Sequence, residues 1–391
     1  MAAEMTPRAR VRTALSHQEP DRVPVALGGG PYGIVDPLYF ALLRHLGLGD
    51  PVAPFRAGHS ISYMDDRLFA RLGVDTRYVY PATSPSSPTR QGDDPDRFYD
   101  GYGQAWIRAE PYYYAAEGLL QDAARIDDID TRVQWPDARA PGWTAGVAER
   151  ARALHEYTDC YVVARMVTSH GPFQTACNLR GTEALLIDLA LNPDFAKALI
   201  DRITDSICDL LRAYLEACGR YIDMIELPGD DYAGNESLVI SPAMFRRFIK
   251  PALRRLVETI KTFRPEIKVM LHSDGMIRSL LPDLIEVGVD VVHPLEPLPA
   301  MDLPEIKAAF GKQLAFLGGI DIVSAMRGSV QDVENEVRRR VAQLAPGGGY
   351  VLAPSNHLQR DVPPENVIAL CSAARVLGTY PLSQASGRHD G

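Results

Sequence analysis

The feature that most restricts the fold of this chain is a recurrence. Short runs rich in β-branched and apolar residues alternate along it with stretches of helical period. Eight such runs occur, at 23–27 (VPVAL), 75–80 (DTRYVY), 161–167 (YVVARMV), 221–227 (YIDMIEL), 267–272 (IKVMLH), 289–293 (VDVVH), 314–318 (LAFLG) and 349–353 (GYVLA). The segments 183–192, 194–217, 243–263, 276–287, 303–311, 329–344 and 364–377 repeat apolar residues at three- and four-residue intervals, as amphipathic helices do. Asn192-Pro193-Asp194 and Ser241-Pro242 place a capping residue before a proline, while Gly219 and Gly288 follow helix ends. Strands that are apolar throughout belong in a parallel sheet covered on both faces. Eight strand–helix units predict an α/β fold of the closed (β/α)8 TIM-barrel type rather than an open doubly wound sheet.

One segment breaks the alternation. Residues 81–160 are rich in Pro, Asp, Tyr and Trp, and 97–114 reads as short antiparallel strands. This predicts an insertion after strand two that lies over the barrel mouth, within a single domain spanning 1–381. The helix expected over Thr6–Leu15 would plug the barrel bottom or lie on its rim, and the polar tail 382–391 would fray.

Composition excludes several partners. The 391 residues carry 41 Lys+Arg against 50 Asp+Glu, a net charge of −9, and the longest basic run is the triplet Arg338 to Arg340. That balance argues against a nucleic-acid surface. No uninterrupted apolar stretch approaches the ~18–20 residues of a membrane span, and Met1 to Arg12 lacks an apolar signal core, so the expectation is a cytoplasmic protein with no membrane partner. The five cysteines, Cys160, Cys177, Cys208, Cys218 and Cys371, form no CxxC pair and read as reduced core thiols.

In such a barrel, ligands bind at the C-terminal strand ends, where the βα loops converge. Titratable residues gather at those positions: His170 after the third run, Glu226 with Asp230 and Asp231 after the fourth, His272 and Asp274 after the fifth, and His293 and Glu296 after the sixth. Asp321 follows the seventh run and Asn356 and His357 the eighth. His272 and Asp274, two residues apart at a strand end, can point the same way and share a metal or a proton. Asp230 and Asp231 suit a cation or an acid/base pair, and equally a solvated turn that caps the next helix. Asp230, Asp231 and Asp274 are thus candidate catalytic groups, His170 is expected to line the wall, and Tyr32, Tyr232 and Asn356 are candidate substrate donors. His293 and Asp321 read as well as a loop cap or an internal ion pair. Gly28–Gly30 lacks GxGxxG spacing, so close backbone approach to a ligand is the better reading. Gly347–Gly349 precedes its strand and reads as a helix stop and tight turn.

Several segments together resemble one family. TPRARVRTALSHQEPDRVPVAL, SHGPFQTACNLRGTEALLIDLALNPDF, SPAMFRRFIKPALRRL, VMLHSDG, VDVVHPLEP and GGGYVLAPSNHLQRDVPPENV are similar, in order and spacing, to the uroporphyrinogen decarboxylase superfamily, from about residue 6 to 378. That superfamily also holds zinc-dependent methyltransferases working between corrinoid proteins and thiols. The resemblance implies a (β/α)8 barrel, a small-molecule substrate and either decarboxylation or methyl transfer.

Two departures shape the expected chemistry. The decarboxylases resemble one another in an Arg-containing segment after the first strand that engages a substrate bearing eight carboxylates. Here GGGPYGIVDPLYFALLRHLG has no arginine before Arg44. The thiol-methylating members carry His-x-Cys and a later Cys as zinc ligands. This chain has His272-Ser273-Asp274 and Ser355-Asn356-His357 instead. What the resemblance implies is therefore a site of His272, His357 and carboxylates such as Glu226, holding zinc or another divalent metal as a Lewis acid toward oxygen or nitrogen. The DxHxxG corrinoid signature is absent, so any corrinoid would arrive on a separate protein. The expected function is a metal-assisted methyl or group transferase or lyase acting on a small oxygen- or nitrogen-linked substrate. The alternatives are a metal-free decarboxylase and a non-catalytic corrinoid or ligand binder.

Overall fold

The computed structural model describes residues 4–51, 64–82, 84–85, 89–109, 112–140 and 142–382. The strands, in chain order, are β1 Thr76–Val79, β2 Arg90–Gln91, β3 Arg97–Tyr99, β4 Ala105–Ala109, β5 Tyr112–Ala115, β6 Tyr161–Ala164, β7 Met224–Glu226, β8 Lys268–His272, β9 Val291–His293, β10 Ala315–Ile320 and β11 Tyr350–Pro354. Seven of them form one parallel sheet in the order β1-β6-β7-β8-β9-β10-β11. Six are buried along their whole length, and in β8 only Lys268 is partly exposed. Helices follow the strands, so each strand faces apolar neighbours on both sides, as the continuous Val/Ile/Leu runs require. The sheet is a curled half-barrel, consistent with a TIM-barrel-like α/β fold.

The run 23–27 forms no named strand. Val25 makes a single parallel bridge to Leu352. Ala26 N–H nevertheless donates to Leu352 carbonyl, Leu352 N–H to Pro24 carbonyl, and Asp75 N–H to Val25 carbonyl. The segment therefore joins the two edges of the parallel sheet, and Pro24 limits its ladder to these few bonds.

Between β1 and β6 lies the separate antiparallel sheet β2-β3-β4-β5. The stretch expected as an insertion, 81–160, also contains the helix Val147–Tyr157, which packs on β1 and β6 and so belongs with the barrel-type helices. The expected tail lies, from residue 383 onward, outside the described residues. No helix among the described residues is long and apolar enough to cross a membrane.

Local signals explain most helix limits. Thr6 accepts from Ala9 N–H at the start of Pro7–Leu15, Ser241 from Met244 N–H, and Ser329 with Asp332 forms a reciprocal capping box on Val330–Leu344. Asn192, expected as a cap, makes no such bond. The helix expected over 243–263 is interrupted: Phe245–Ile249 widens to a π turn and Lys250 N–H reaches back to Phe245. Pro251 lacks an N–H and crowds the carbonyl four residues earlier, which accounts for the wider turn.

The N-terminal helix crosses the entry ends of the strands. Arg8 Nε donates to the Cys160 carbonyl at 2.9 Å, and Arg12 pairs with Asp223. Arg10, 1% exposed, donates to Asp75 Oδ1 at 2.6 Å and to Asp21 at 2.7 Å. With that end committed to structure, the opposite ends of the strands are left for a ligand.

Candidate functional site

β7, β8 and β9 run in parallel and in register, with His272 opposite His293. Both rings therefore emerge at the same level, with centroids 5.1 Å apart, and their Nδ1 atoms approach to 2.9 Å. The His293 Nε2 in turn lies 3.1 Å from the Pro354 carbonyl at the end of β11.

Beyond His272 the chain turns at Gly275, whose φ is +83°. A Cβ there would meet the Ala233 and Gly234 carbonyls at 2.6 Å, so only glycine lets these two loops approach so closely. The approach brings Asp231 and Asp274 to one place. Asp274 N–H donates to Asp231 Oδ1 at 2.9 Å, and Asn356 Nδ2 holds Asp274 Oδ2 at 2.7 Å. His272 Nε2 faces Asp231 Oδ1 at 3.9 Å and Asp274 Oδ1 at 3.8 Å. These separations are too long for hydrogen bonds. One ligand atom from each of the three residues lies within 4.8 Å of the others.

The donor set fits a metal on one further observation. Asp274 Oδ1 is shut off from solvent and has no hydrogen-bond partner. A buried carboxylate oxygen without a donor is costly unless a cation meets it. Burial pushes the Asp274 carboxyl up to about 6, with nearby Asp231 and Glu296 adding to the rise and His272 opposing it. Two carboxylates and an imidazole form a hard site suited to zinc or another divalent ion.

The triad opens into a cavity of about 540 Å³. Its far wall comes from the small antiparallel sheet: Phe98, Trp106 and Tyr112–Tyr114. The Trp106 ring lies parallel to His170, at 7° and 5.8 Å between centroids, and its Nε1 donates to Asp100 at 2.8 Å. Gly30, Met166, Asn356 and His357 complete the near side, and no lysine or arginine lines the cavity among the described residues. The aromatic wall was not singled out residue by residue in the sequence, although the Tyr- and Trp-rich composition of 81–160 is its visible trace.

The other expected site residues are deployed differently. His357 lines the cavity, but its Nε2 is 2.9 Å from the Gly30 carbonyl. Glu226 is fully buried beneath the glycine turn, where Tyr32 OH and Gly30 N–H both donate to it at 2.8 Å. Glu226 and His357, expected with His272 as metal ligands, are engaged elsewhere, and the ligand atoms that lie within 4.8 Å of one another are those of His272, Asp231 and Asp274. The reason is register: β7 ends at Glu226, and the loop must extend five residues further before a side chain, Asp231, rises to the level of His272. A Cβ on Gly29 would fall 2.4 Å from Glu226 Oε1 and 2.1 Å from the Tyr32 ring, so these glycines make room for Glu226 and Tyr32.

Asp230 does not line the cavity. Its carboxylate accepts from Phe173 N–H at 3.0 Å, Gln174 N–H at 2.8 Å and Tyr232 OH at 3.2 Å, which anchors the start of the helix Pro172–Arg180. Burial pushes this carboxyl up to about 7 against the pull of those donors. Tyr232 sits between Phe173 and Phe245, and Tyr32 OH is occupied by Glu226. Asp321 accepts from Val323 and Ser324 N–H groups and so serves as a turn cap.

Comparison with known proteins adds a lineage. A sequence model of the uroporphyrinogen decarboxylase (URO-D) family matches residues 122–377. The curated uroporphyrinogen decarboxylase of Syntrophotalea carbinolica is 27% identical over 206 residues, 51% of this chain and 55% of its own. That of Gloeobacter violaceus is 26% identical over 181 residues, 44% of this chain and 48% of its own. The chain thus matches about half the length of these relatives. Among solved structures, a methyltransferase from Methanosarcina mazei has the same fold, with a TM-score of 0.63 at 20% identity over 95% of this chain and 99% of its own.

Proposed function

The chain belongs to the uroporphyrinogen decarboxylase family, and from that premise we propose that it is a metal-assisted methyl or group transferase or a lyase. The substrate is a small oxygen- or nitrogen-linked molecule, bound at the mouth of an eight-unit barrel and covered by the segment after its second strand. Asp231, His272 and Asp274 hold the divalent ion, zinc in the first instance. The observation that carries the reading is the buried Asp274 Oδ1, which has no donor and faces His272 Nε2 at 3.8 Å.

What a divalent ion supplies when bound there is Lewis acidity toward an oxygen or nitrogen leaving group. The chain's own residues do the rest. Asn356 holds Asp274 in one orientation, and the Asp274 N–H holds Asp231. Trp106, Phe98 and the tyrosines give the cavity one apolar wall, which strengthens the charge interactions beside it. With no thiolate among the three ligands, activation of a thiol is disfavoured. With no lysine or arginine among the described residues that line the cavity, a polycarboxylate porphyrinogen finds no fixed counter-charge among them. A methyl carrier would be a separate corrinoid protein docking at the open side. The fold shared with the Methanosarcina mazei methyltransferase is compatible with methyl transfer.

Elemental analysis of the purified protein and of His272→Ala tests the reading. The expected result is stoichiometric metal in wild type, its loss in the variant, and loss of turnover on exhaustive chelation. Turnover that survives chelation favours a metal-free decarboxylase. Absence of any turnover, with ligand affinity unchanged in Asp231→Asn, favours a non-catalytic binder.

A further inference from the structure

The contact between His272 and His293 goes beyond packing, because its far end fixes which atoms carry protons. The Pro354 carbonyl can only accept a hydrogen bond, so the His293 Nε2 lying 3.1 Å from it carries a hydrogen. His293 is 0% exposed, among Tyr32, His272 and the strand ends. Its polar contacts are a carbonyl and a second imidazole, with no carboxylate to compensate a buried positive charge, so the ring is neutral. A neutral imidazole has one N–H, and on His293 it is spent on Pro354. Its Nδ1 is therefore a lone pair, and the 2.9 Å contact requires His272 to donate from its own Nδ1. When His272 is neutral, its remaining lone pair is on Nε2, the atom that faces Asp231 and Asp274.

We infer that His293 is a positioning residue: through the chain Pro354 carbonyl, His293, His272, it sets the tautomer and ring angle that present the His272 Nε2 lone pair to a divalent cation. The inference rests on the metal reading above for the identity of the ligand, but the proton placement stands on geometry alone. Metal-bound imidazoles need such an outer partner, commonly a carboxylate or a carbonyl. Here the outer partner of His272 is a second imidazole, which is itself held by the Pro354 carbonyl. The parallel register of His272 and His293 makes the bridge possible, since a one-residue slip would turn one ring to the other face of the sheet.

Two variants separate the role from mere packing. His293→Phe fills the same apolar volume but offers His272 no acceptor, whereas the His293→Asn amide oxygen stands close to where Nδ1 was. Zinc alone is the probe, titrated against a chromophoric chelator. The expected result is a 10–100-fold loss of zinc affinity in His293→Phe, the scale seen when an outer partner of a metal-bound histidine is removed. Recovery to within a few-fold of wild type is expected in His293→Asn. Equal affinity in wild type and His293→Phe overturns the inference. Long-range ¹H–¹⁵N correlation of the metal-free wild type, recorded above the titration of both rings, reads the tautomers directly. A hydrogen on His272 Nδ1 and on His293 Nε2 supports the inference, and a hydrogen on His272 Nε2 overturns it. Stoichiometric zinc with the wrong tautomer removes the relay and leaves the metal reading standing. The right tautomer without zinc binding removes the metal reading and leaves the relay.

Discussion

The main-chain N–H of Asp274 donates to the side-chain Oδ1 of Asp231 at 2.9 Å, so the two acids of the candidate metal triad are tied to each other across two loops. The bond orients Asp231 without using its second oxygen. In Asp231→Asn the amide oxygen can keep that acceptor while the charge is lost, and in Asp274→Asn the oxygen facing His272 loses its charge. Each substitution is expected to weaken zinc binding by at least about tenfold, no less than losing an outer partner does. Asp231→Asn, at a side chain 49% exposed, is expected to leave the unfolding free energy within about 0.5 kcal/mol of wild type. Chelator competition and urea unfolding on the same samples check both statements. Unchanged zinc affinity in the two variants would remove these acids from the site.

Asp230, one residue away, is expected to behave in the opposite manner. Its carboxylate satisfies the two free N–H groups at the start of Pro172–Arg180 and also receives the Tyr232 hydroxyl. In Asp230→Asn the amide nitrogen confronts one of those donors, which leaves a buried N–H without an acceptor. The expected cost is about 1–3 kcal/mol of stability with zinc content unchanged. Loss of zinc at full stability would instead place Asp230 in the chemistry.

This contrast between neighbours marks how far the sequence can be read. The parallel sheet follows from continuous apolar runs, and seven of the eight runs form its strands, because burial on both faces leaves a pattern that needs no partner to be recognised. His272 with Asp274 is legible for the same local reason, since both sit at one strand end. The role of Asp231 as against Asp230 is not legible: it depends on which of two adjacent loop carboxylates meets the helix that starts at Pro172, a contact made more than fifty residues away along the chain. Glu226 is similar, since its burial under Gly29 and Gly30 depends on the first segment folding back between the sheet edges. His293 stands in view within VDVVHPLEP, but its relation to His272 exists only through strand register. Trp106 lies opposite His170 because a small separate sheet is folded toward the cavity, which composition signals but spacing does not.

At the other end of the strands, Arg10 and Asp75 form a nearly solvent-free pair at 2.6 Å, supported by Arg22 at 2.9 Å and by the Val25 N–H at 2.8 Å. Asp75 precedes β1 and holds the segment 23–27 to it, so the pair connects the helix Pro7–Leu15 to both edges of the sheet. Arg10→Ala leaves Asp75 with half of its cationic partners and opens a void under the helix. The expected loss is about 3–5 kcal/mol, as for one partner removed from a buried ion pair. Urea unfolding monitored by far-ultraviolet circular dichroism measures it. A loss below about 1 kcal/mol would show that Arg22 alone suffices.

Lys307 gives the fold a predictable response to alkali. Its ammonium donates to the Gly348 carbonyl at the foot of β11, and burial pulls its pKa down to about 8. That carbonyl is fixed in place because Gly348 has a φ of +74° and a Cβ there would fall 2.3 Å from the Gln18 carbonyl oxygen. Below pH 8 both folded and unfolded chains hold the proton, and the folded chain carries the full desolvation cost. Between about 8 and 10.5 the unfolded chain holds a proton that the folded one has released, so this group makes stability rise with pH across that window. Lys307→Met removes the dependence. The stability of wild type relative to the variant is therefore expected to be flat from pH 6 to 8 and to rise by about 1–2 kcal/mol between pH 8 and 10.5, after allowance for partial solvent screening. Urea midpoints of the two proteins at pH 7, 9 and 10.5 decide the matter. A difference that stays flat or falls over the upper interval would mean that Lys307 keeps its proton against the Gly348 carbonyl.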